Sequence, residues 1–147
     1  MEENLILEEN LLSTLPAFKL YDNIAIRIGT FLGGPLATGY LMAENFKQLG
    51  QEDKVKNTWI ISIIATIVVC TIAVLVPKDF PGYILPVLYT GIASYLVQRF
   101  QDVQIKFHIE EGGQLYSRWR AALVALVGLL LIVVICAAIF IVLGIKA

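Results

Sequence analysis

Two long stretches without a charged residue limit the folds open to this chain more than any other feature. One stretch runs from Trp59 to Val76, and the other runs from Ala121 to Ile145. As a helix, the shorter stretch is about 27 Å long, close to the hydrocarbon thickness of a bilayer. Because an open strand edge has no hydrogen-bond partners in lipid, both stretches are predicted to be transmembrane helices.

The composition of the whole chain extends this prediction. Hydrophobic residues make up 58% of the 147 residues, against about 45–50% in soluble domains. Two further apolar segments lie at about 24–43 and 83–100. We therefore expect an all-α membrane protein with one membrane domain, residues 1–147, built as a four-transmembrane-helix bundle. Its predicted spans are 24–43, 59–76, 83–100 and 121–145.

The first predicted span carries small residues at every fourth position, namely Ala25, Gly29, Gly33 and Ala37. On a helix this spacing forms one smooth stripe, where a neighbouring helix can approach closely. Pro35 cannot donate to the carbonyl four residues earlier, so a kink is expected there. These five residues predict a helix-packing site. The break at 33–35 could instead present backbone groups to a transported molecule, as the broken helices of transporters do.

The connections between spans differ in character. Residues 44–57 are charged and are expected to form a solvated loop. The short segment from Pro77 to Gly82 predicts a tight turn, with spans 2 and 3 as antiparallel neighbours. Residues 98–120 fit either an interfacial helix or an alternating strand. We favour the helix, because a lone strand has no pairing partner, and we expect it to end at Gly112-Gly113.

The N-terminal tail, residues 1–23, is acidic and partly apolar. It lacks the basic n-region of a signal peptide, so the first span is expected to direct insertion. A short amphipathic helix is expected to end at Pro16, either loosely packed or disordered rather than a dedicated docking arm. Asp22 or Asn23 is a plausible N-cap for the helix that follows.

Basic residues predict the orientation. The connections at 44–57 and 98–120 carry seven basic residues, and the segments on the other side carry at most four. The positive-inside rule then places both longer loops in the cytoplasm and both termini outside. If span 3 only lay in the interface, the C-terminus would be inside.

The polar groups that could form a site are few. His108, Glu110 and Glu111 lie in one segment, and His108 and Glu111 share a helix face. Metal sites of this kind draw ligands from several helices, so we expect a solvated charged loop and no metal. Arg27 is expected to snorkel to the interface, with a buried ligand-binding role as the alternative.

Other site chemistry is not indicated. Cys70 and Cys136 lie within spans and are expected to be packing residues rather than a disulfide. No catalytic, phosphate-binding or zinc motif is present, so neither enzymatic activity nor a cofactor is expected. The net charge of −1 gives no indication of nucleic-acid binding.

Two blocks of sequence resemble segments of a known group of proteins. The first is Phe31-Leu32-Gly33-Gly34-Pro35-Leu36-Ala37, followed by Asn45-Phe46-Lys47 and Leu49-Gly50. The second is Gly112-Gly113 with Ser117-Arg118-Trp119-Arg120-Ala121. Both are similar to segments of small uncharacterised bacterial multi-span integral membrane proteins. The resemblance implies a multi-pass protein of the bacterial cytoplasmic (inner) membrane, and it implies no activity or site residue.

The expected function is therefore that of a non-enzymatic membrane protein. The small-residue stripe favours an accessory subunit or a homo-oligomer that acts through helix packing, with the lipid bilayer and an unknown membrane protein as partners. The alternative is a small transporter or channel that uses the Gly33-Gly34-Pro35 break.

Overall fold

The computed structural model describes residues 16–144. These residues form five helices and one pair of two-residue parallel strands. The helices are α1 (Asn23–Gln48), α2 (Glu52–Leu75), α3 (Ile84–Phe100), α4 (Asp102–Glu110) and α5 (Arg118–Val142), and the strands are β1 (Lys19–Leu20) and β2 (Gln114–Leu115). The all-helical architecture predicted from the sequence is confirmed for this part of the chain.

Helix α1 is folded back on itself. Gly34 has φ +66° and ψ −165°, which interrupts the helix between residues 23–33, the first arm, and residues 35–48, the second arm. The hydroxyl oxygens of Thr30 and Thr38 lie 2.9 Å apart, although eight residues of straight helix would separate them by about 12 Å along the axis. The two arms therefore form a hairpin whose tip is Gly33-Gly34-Pro35.

Both ends of this hairpin lie at the same end of the bundle. The Tyr21 amide, just before the first arm, donates to Asn45 Oδ1 in the second arm at 2.7 Å. Asn23 bonds Asp102, while Asn45 bonds the adjacent Gln101. Residues 24–43 therefore do not form the one continuous helix that was predicted. The physical reason is the left-handed conformation of Gly34, which reverses the chain where a kink alone was expected.

The hairpin is the centre of the bundle, because α2, α3 and α5 all pack against it. Within the described residues, α2 and α3 are separated by a groove instead of packing along their length. The prediction that they would be direct neighbours is thus wrong, although a short turn joins them. The hairpin is inserted between them and holds them apart.

The predicted solvated loop at 44–57 is also largely wrong. Helix α1 continues to Gln48 and α2 begins at Glu52, so only a three-residue turn connects them. Gly50, with φ +70°, makes the turn possible. The charged residues from 52 to 57 extend α2 by more than one turn beyond its apolar stretch.

The segment after α3 is helical, as favoured from the sequence. A break at Gln101 (φ −129°) separates α3 from α4, and Gly112, with φ +75°, reverses the chain after α4. The alternating-strand interpretation of this segment is wrong, and the extended backbone is confined to β2. The N-cap of α1 is confirmed as Asp22, whose Oδ1 accepts from the Ala25 amide at 2.6 Å.

Two helices, α2 and α5, are long and apolar enough to cross a membrane. Their most apolar 18-residue windows are only 17% and 11% buried inside the protein, respectively. Such helices differ from the core helices of soluble proteins, which bury most of their apolar residues. Helix α3 has 17 residues and also exposes large apolar side chains, among them Leu88 and Ile92.

Candidate functional site

A groove between α2 and α3 encloses a volume of about 590 Å³. Its floor is the second arm of the hairpin, which contributes Pro35, Thr38 and Met42. Its walls are aliphatic, with Val68 on α2 and Leu88 on α3 as examples. The groove is open on the side facing away from the hairpin, and its lining is almost entirely apolar.

One end of the groove is polar. Lys54, Asn57 and Thr58 line it at the start of α2, beside Phe46 of the second arm. The Lys54 ammonium lies 5.4 Å from the centre of the Phe46 ring, within the range of a cation–π contact. Lys54 is the only charged side chain among the described residues that line the groove. The site therefore combines a long apolar trough with one cation at its mouth.

The hairpin tip, next to the groove, has its freed backbone groups partly satisfied by side chains. Pro35 has no N–H to donate to the Phe31 carbonyl, and the Tyr89 hydroxyl of α3 donates to that oxygen at 3.2 Å. The Thr38 hydroxyl lies 3.1 Å from the Gly34 carbonyl. These contacts stabilise the break as a structural element, because unpaired carbonyls in an apolar environment are costly.

The predicted packing residues all lie inside the protein, and three of them, Gly29, Gly33 and Ala37, contact the second arm or α5. A Cβ on Gly33 would lie 2.6 Å from Ala125 Cα of α5, and a Cβ on Gly128 would lie 2.9 Å from the Gly33 carbonyl oxygen and 3.1 Å from Ala37 Cβ. Gly29 faces Leu41 of the second arm. Ala25 is fully buried and Pro35 is buried at the groove floor. The stripe is thus used within the chain.

A buried polar cluster at the open end of the hairpin was not predicted. The Asn45 amide donates to the Tyr21 carbonyl at 2.9 Å and to Gln101 Oε1 at 3.2 Å, and Gln101 Nε2 donates to the Met42 carbonyl at 2.9 Å. Asn45 and Gln101 are at most 1% exposed. Because their partners are distant in sequence, no local pattern marks them. This cluster fixes the hairpin against the joint between α3 and α4.

His108 is buried, which corrects the expectation of a solvated segment. Its ring stacks on Phe18 at 4.8 Å, and its Nε2 lies 2.9 Å from the Gln114 carbonyl oxygen. Glu110 and Glu111 are exposed, so the structure does not combine the three residues into one site. Among residues 16–144 no group of three or more His, Cys, Asp or Glu side chains is placed to hold a metal ion. His108 instead anchors the N-terminal segment.

Arg27 is exposed on the first arm and lies near the start of α4. The pKa of Asp102 is held below its usual value mainly by the hydrogen bond from Lys106, with further contributions from Asn23 and the Arg27 charge. The Asp102–Lys106 ion pair measures 2.7 Å. These polar contacts mark the end of the bundle that carries α4 and the chain segment before α1.

An aromatic cluster covers the same end. The Tyr21 and Tyr116 rings lie 4.6 Å apart, and the Arg120 guanidinium lies 4.1 Å from the Tyr116 ring centre. Tyr21 is fully buried, and its hydroxyl has no hydrogen-bond partner within the described part of the chain. Burial raises the pKa of Tyr21 to about 12. The cluster is an aromatic cap in which the Tyr21 hydroxyl is left unsatisfied by the described residues.

Cys70 and Cys136 are both free thiols, with Cys70 buried and Cys136 half-buried. Comparison of the chain with protein families, curated proteins and solved structures finds no match.

Proposed function

We propose that this chain is an integral protein of the bacterial cytoplasmic membrane. The observation that supports membrane insertion is the outward orientation of the bulky side chains on α2 and α5. In water, so large an exposed aliphatic surface would drive aggregation, whereas in a bilayer it is solvated by lipid. The sequence resemblance to small bacterial multi-span proteins supports the choice of membrane.

The proposed arrangement has three crossing helices, α2, α3 and α5, and one re-entrant hairpin, α1, in place of four spans. The arms of the hairpin have 11 and 14 residues, which correspond to about 16 and 21 Å. Neither reaches across a hydrocarbon core of about 30 Å. Re-entrant backbone is tolerated within a membrane where it packs against protein, and α2, α3 and α5 all contact the hairpin here.

This arrangement also changes the expected orientation. The chain segment before α1 then lies on the same side as the α1–α2 turn and α4, while the end of α5 lies on the opposite side. Nine of the ten basic residues that lie within residues 16–144 fall on the side of α4, and the exception is Lys78. By the positive-inside rule we propose a cytoplasmic N-terminal side and an external C-terminal end, instead of two external termini.

Labelling of single cysteines with an impermeant maleimide tests this arrangement. In a background with Cys70→Ala and Cys136→Ala, Lys19→Cys and Lys56→Cys should react from the same side, and Lys78→Cys from the other. A four-span bundle would place Lys19 and Lys56 on opposite sides. Reaction of Lys19→Cys together with Lys78→Cys would therefore contradict the hairpin arrangement.

For the activity, we propose a non-enzymatic protein that accommodates an apolar or amphipathic molecule in the α2–α3 groove, as a small transporter or lipid-handling protein does. The groove carries this proposal, because it is open on one side, is almost entirely apolar and has the buried hairpin tip in its floor. Reconstitution into liposomes tests it. Faster transbilayer movement of fluorescent amphiphiles is expected, and unchanged movement of every amphiphile and small solute would contradict it.

The accessory-subunit and homo-oligomer hypotheses remain predictions with less support. Both hypotheses were based on the small-residue stripe, but residues of this stripe pack against other parts of the same chain. A pull-down in mild detergent, read by native mass spectrometry, tests them directly. A stoichiometric second protein or a stable oligomer would restore these hypotheses.

A further inference from the structure

We propose that the α2–α3 groove binds one anionic lipid, with an acyl chain along its floor and the acidic head group at Lys54. This inference rests on the membrane location proposed above and names the class of molecule that the groove takes. It goes beyond the apolar character of the groove, because it assigns a charge and a direction to the ligand.

The charge distribution along the groove supports a negatively charged head group. Lys54 is its only charged lining residue in the described structure, and no lining residue carries a carboxylate. Asn57 and Thr58, next to Lys54, add neutral hydrogen-bonding groups. A phosphate at this position would therefore meet one ammonium and no carboxylate of the groove lining. Towards the far end the walls are aliphatic, with Ile72 and Leu85 near the turn between the helices.

The part of the groove between Lys54 and the level of the hairpin tip fits one acyl chain in one leaflet. Lys54 and Ala65 are eleven positions apart, which is about 16 Å along a helix and about half of a 30 Å hydrocarbon core. Gly39 of the second arm lies against Ser62 of α2, so Pro35, one turn before Gly39 and in the groove floor, lies near the level of Ala65. A chain that starts at Lys54 would end beside the hairpin tip.

The groove has one floor and two walls, so it can cover only part of a transmembrane helix. A helix about 10 Å wide presents side chains on every side. A partner helix could therefore enter only with part of one face. An acyl chain, being narrow and flexible, can follow the trough between the two walls.

Native mass spectrometry of the full chain, released from mild detergent, provides the test. The probes are phosphatidylglycerol and phosphatidylcholine with identical acyl chains. We expect preferential retention of one phosphatidylglycerol. Because one lysine near a membrane surface contributes about 1 kcal/mol to the binding of anionic lipid, Lys54→Gln should weaken this retention about five-fold. The matched control is Lys56→Gln, which removes the same charge from an exposed position of α2 outside the groove.

The result that would overturn the inference is an equal response of the two lysine variants, or equal retention of the two lipids. A second variant tests the acyl site separately. Ala65→Phe places a ring in the wall of the groove, and it should reduce the retention of both lipids while the helical circular dichroism stays unchanged. Full retention in a folded Ala65→Phe protein would equally contradict the proposal.

A photoactivatable residue at Leu88, in the opposite wall, identifies the occupant in native membranes. A lipid-sized adduct would support the inference, whereas a crosslink to a second copy or to another protein would overturn it. Carbonate extraction at high pH distinguishes a failure of the membrane proposal from a failure of the lipid assignment. A protein that leaves the membrane in carbonate refutes the membrane proposal itself, and one that stays but shows no lipid preference refutes only the assignment of the groove.

Discussion

The Asn45 side chain takes both backbone hydrogen bonds of Tyr21, accepting from its amide at 2.7 Å and donating to its carbonyl at 2.9 Å. An asparagine amide can pair with a peptide group in this way as a neighbouring strand would. The pairing joins the two ends of the α1 hairpin and draws the N-terminal segment over its open end. The hairpin is therefore closed at one end by Asn45 and turned at the other by Gly34.

Replacing Asn45 should open this closure. Asn45→Leu removes three hydrogen bonds and leaves buried groups of Tyr21 and Gln101 unpaired, so we expect a loss of about 3 kcal/mol in unfolding free energy. Hydrogen exchange at the Tyr21 amide should accelerate together with the loss of stability. Gln48→Ala, which affects only a bond to Glu44, should cost less than about 0.5 kcal/mol. Unchanged exchange at Tyr21 in Asn45→Leu would refute the role of Asn45.

The contact between the hairpin and α5 should tolerate no added methyl group at Gly33. Its Cβ would meet the Ala125 backbone, which cannot rotate away, so Gly33→Ala should destabilise the protein by about 2–3 kcal/mol. Gly91→Ala is the matched control, since nothing lies within 4 Å of that position in α3, and it should stabilise by up to about 1 kcal/mol. Thermal unfolding in detergent measures both. If the two variants behave alike, the close approach at Gly33 is wrong.

Tyr89 should stabilise the hairpin tip through its hydroxyl. Tyr89→Phe keeps the ring but removes the donor to the Phe31 carbonyl, with an expected cost of about 1 kcal/mol. Tyr95→Phe makes the same change on the same helix at an exposed side chain and should have little effect. Unfolding of the two variants in sodium dodecyl sulfate titrations compares their stabilities. If Tyr89→Phe does not lower the stability, the hydrogen bond to the Phe31 carbonyl does not stabilise the break.

Tyr21 should make stability fall at alkaline pH. Its ordinary pKa of 10.0 is raised to about 12 by burial, so above pH 10 the unfolded chain loses this proton while the folded chain keeps it. Stability is therefore full below pH 10 and declines as pH rises towards 12, by about 2–3 kcal/mol. Tyr21→Phe should lack this part of the decline and, at pH 8, gain about 1 kcal/mol because an unsatisfied hydroxyl is removed.

Denaturation at pH 8 and pH 11.5 measures the Tyr21 effect. Tyr83→Phe, at an exposed position, serves as the control and should follow the parent protein at both values. An identical alkaline decline in Tyr21→Phe and the parent would show that other groups cause it.

The two apolar helices could be predicted from the sequence because a charge-free run of sufficient length has few alternatives in a bilayer. The beginning of α2 at Glu52 could not be predicted, because the residues before Trp59 are charged and were interpreted as a loop. Their helix follows directly from the short turn after Gln48. The end of α4 was predictable from Gly112, where a local conformational preference decides the structure.

The reversal of the chain in the α1 hairpin could not be predicted from the sequence. Pro35 indicated an interruption, but a proline predicts a bend and does not give its size. The full reversal depends on Gly34 taking one of the conformations open to it, and on contacts of Asn45 and Gln101 with residues 24 to 59 positions away. His108 was misplaced for the same reason, because the ring that buries it, Phe18, lies in a different part of the chain.

The pairing of β1 with β2 has a consequence for the order in which the protein folds during its synthesis on the ribosome. Lys19 and its partner Gln114 are 95 positions apart, and at 5–20 residues per second the ribosome needs roughly 5 to 20 s to add that length. During this interval the hairpin, α2 and α3 are synthesised, while Lys19–Leu20 still has no strand to join. The N-terminal segment is thus the first part described here to be synthesised and among the last to reach its place.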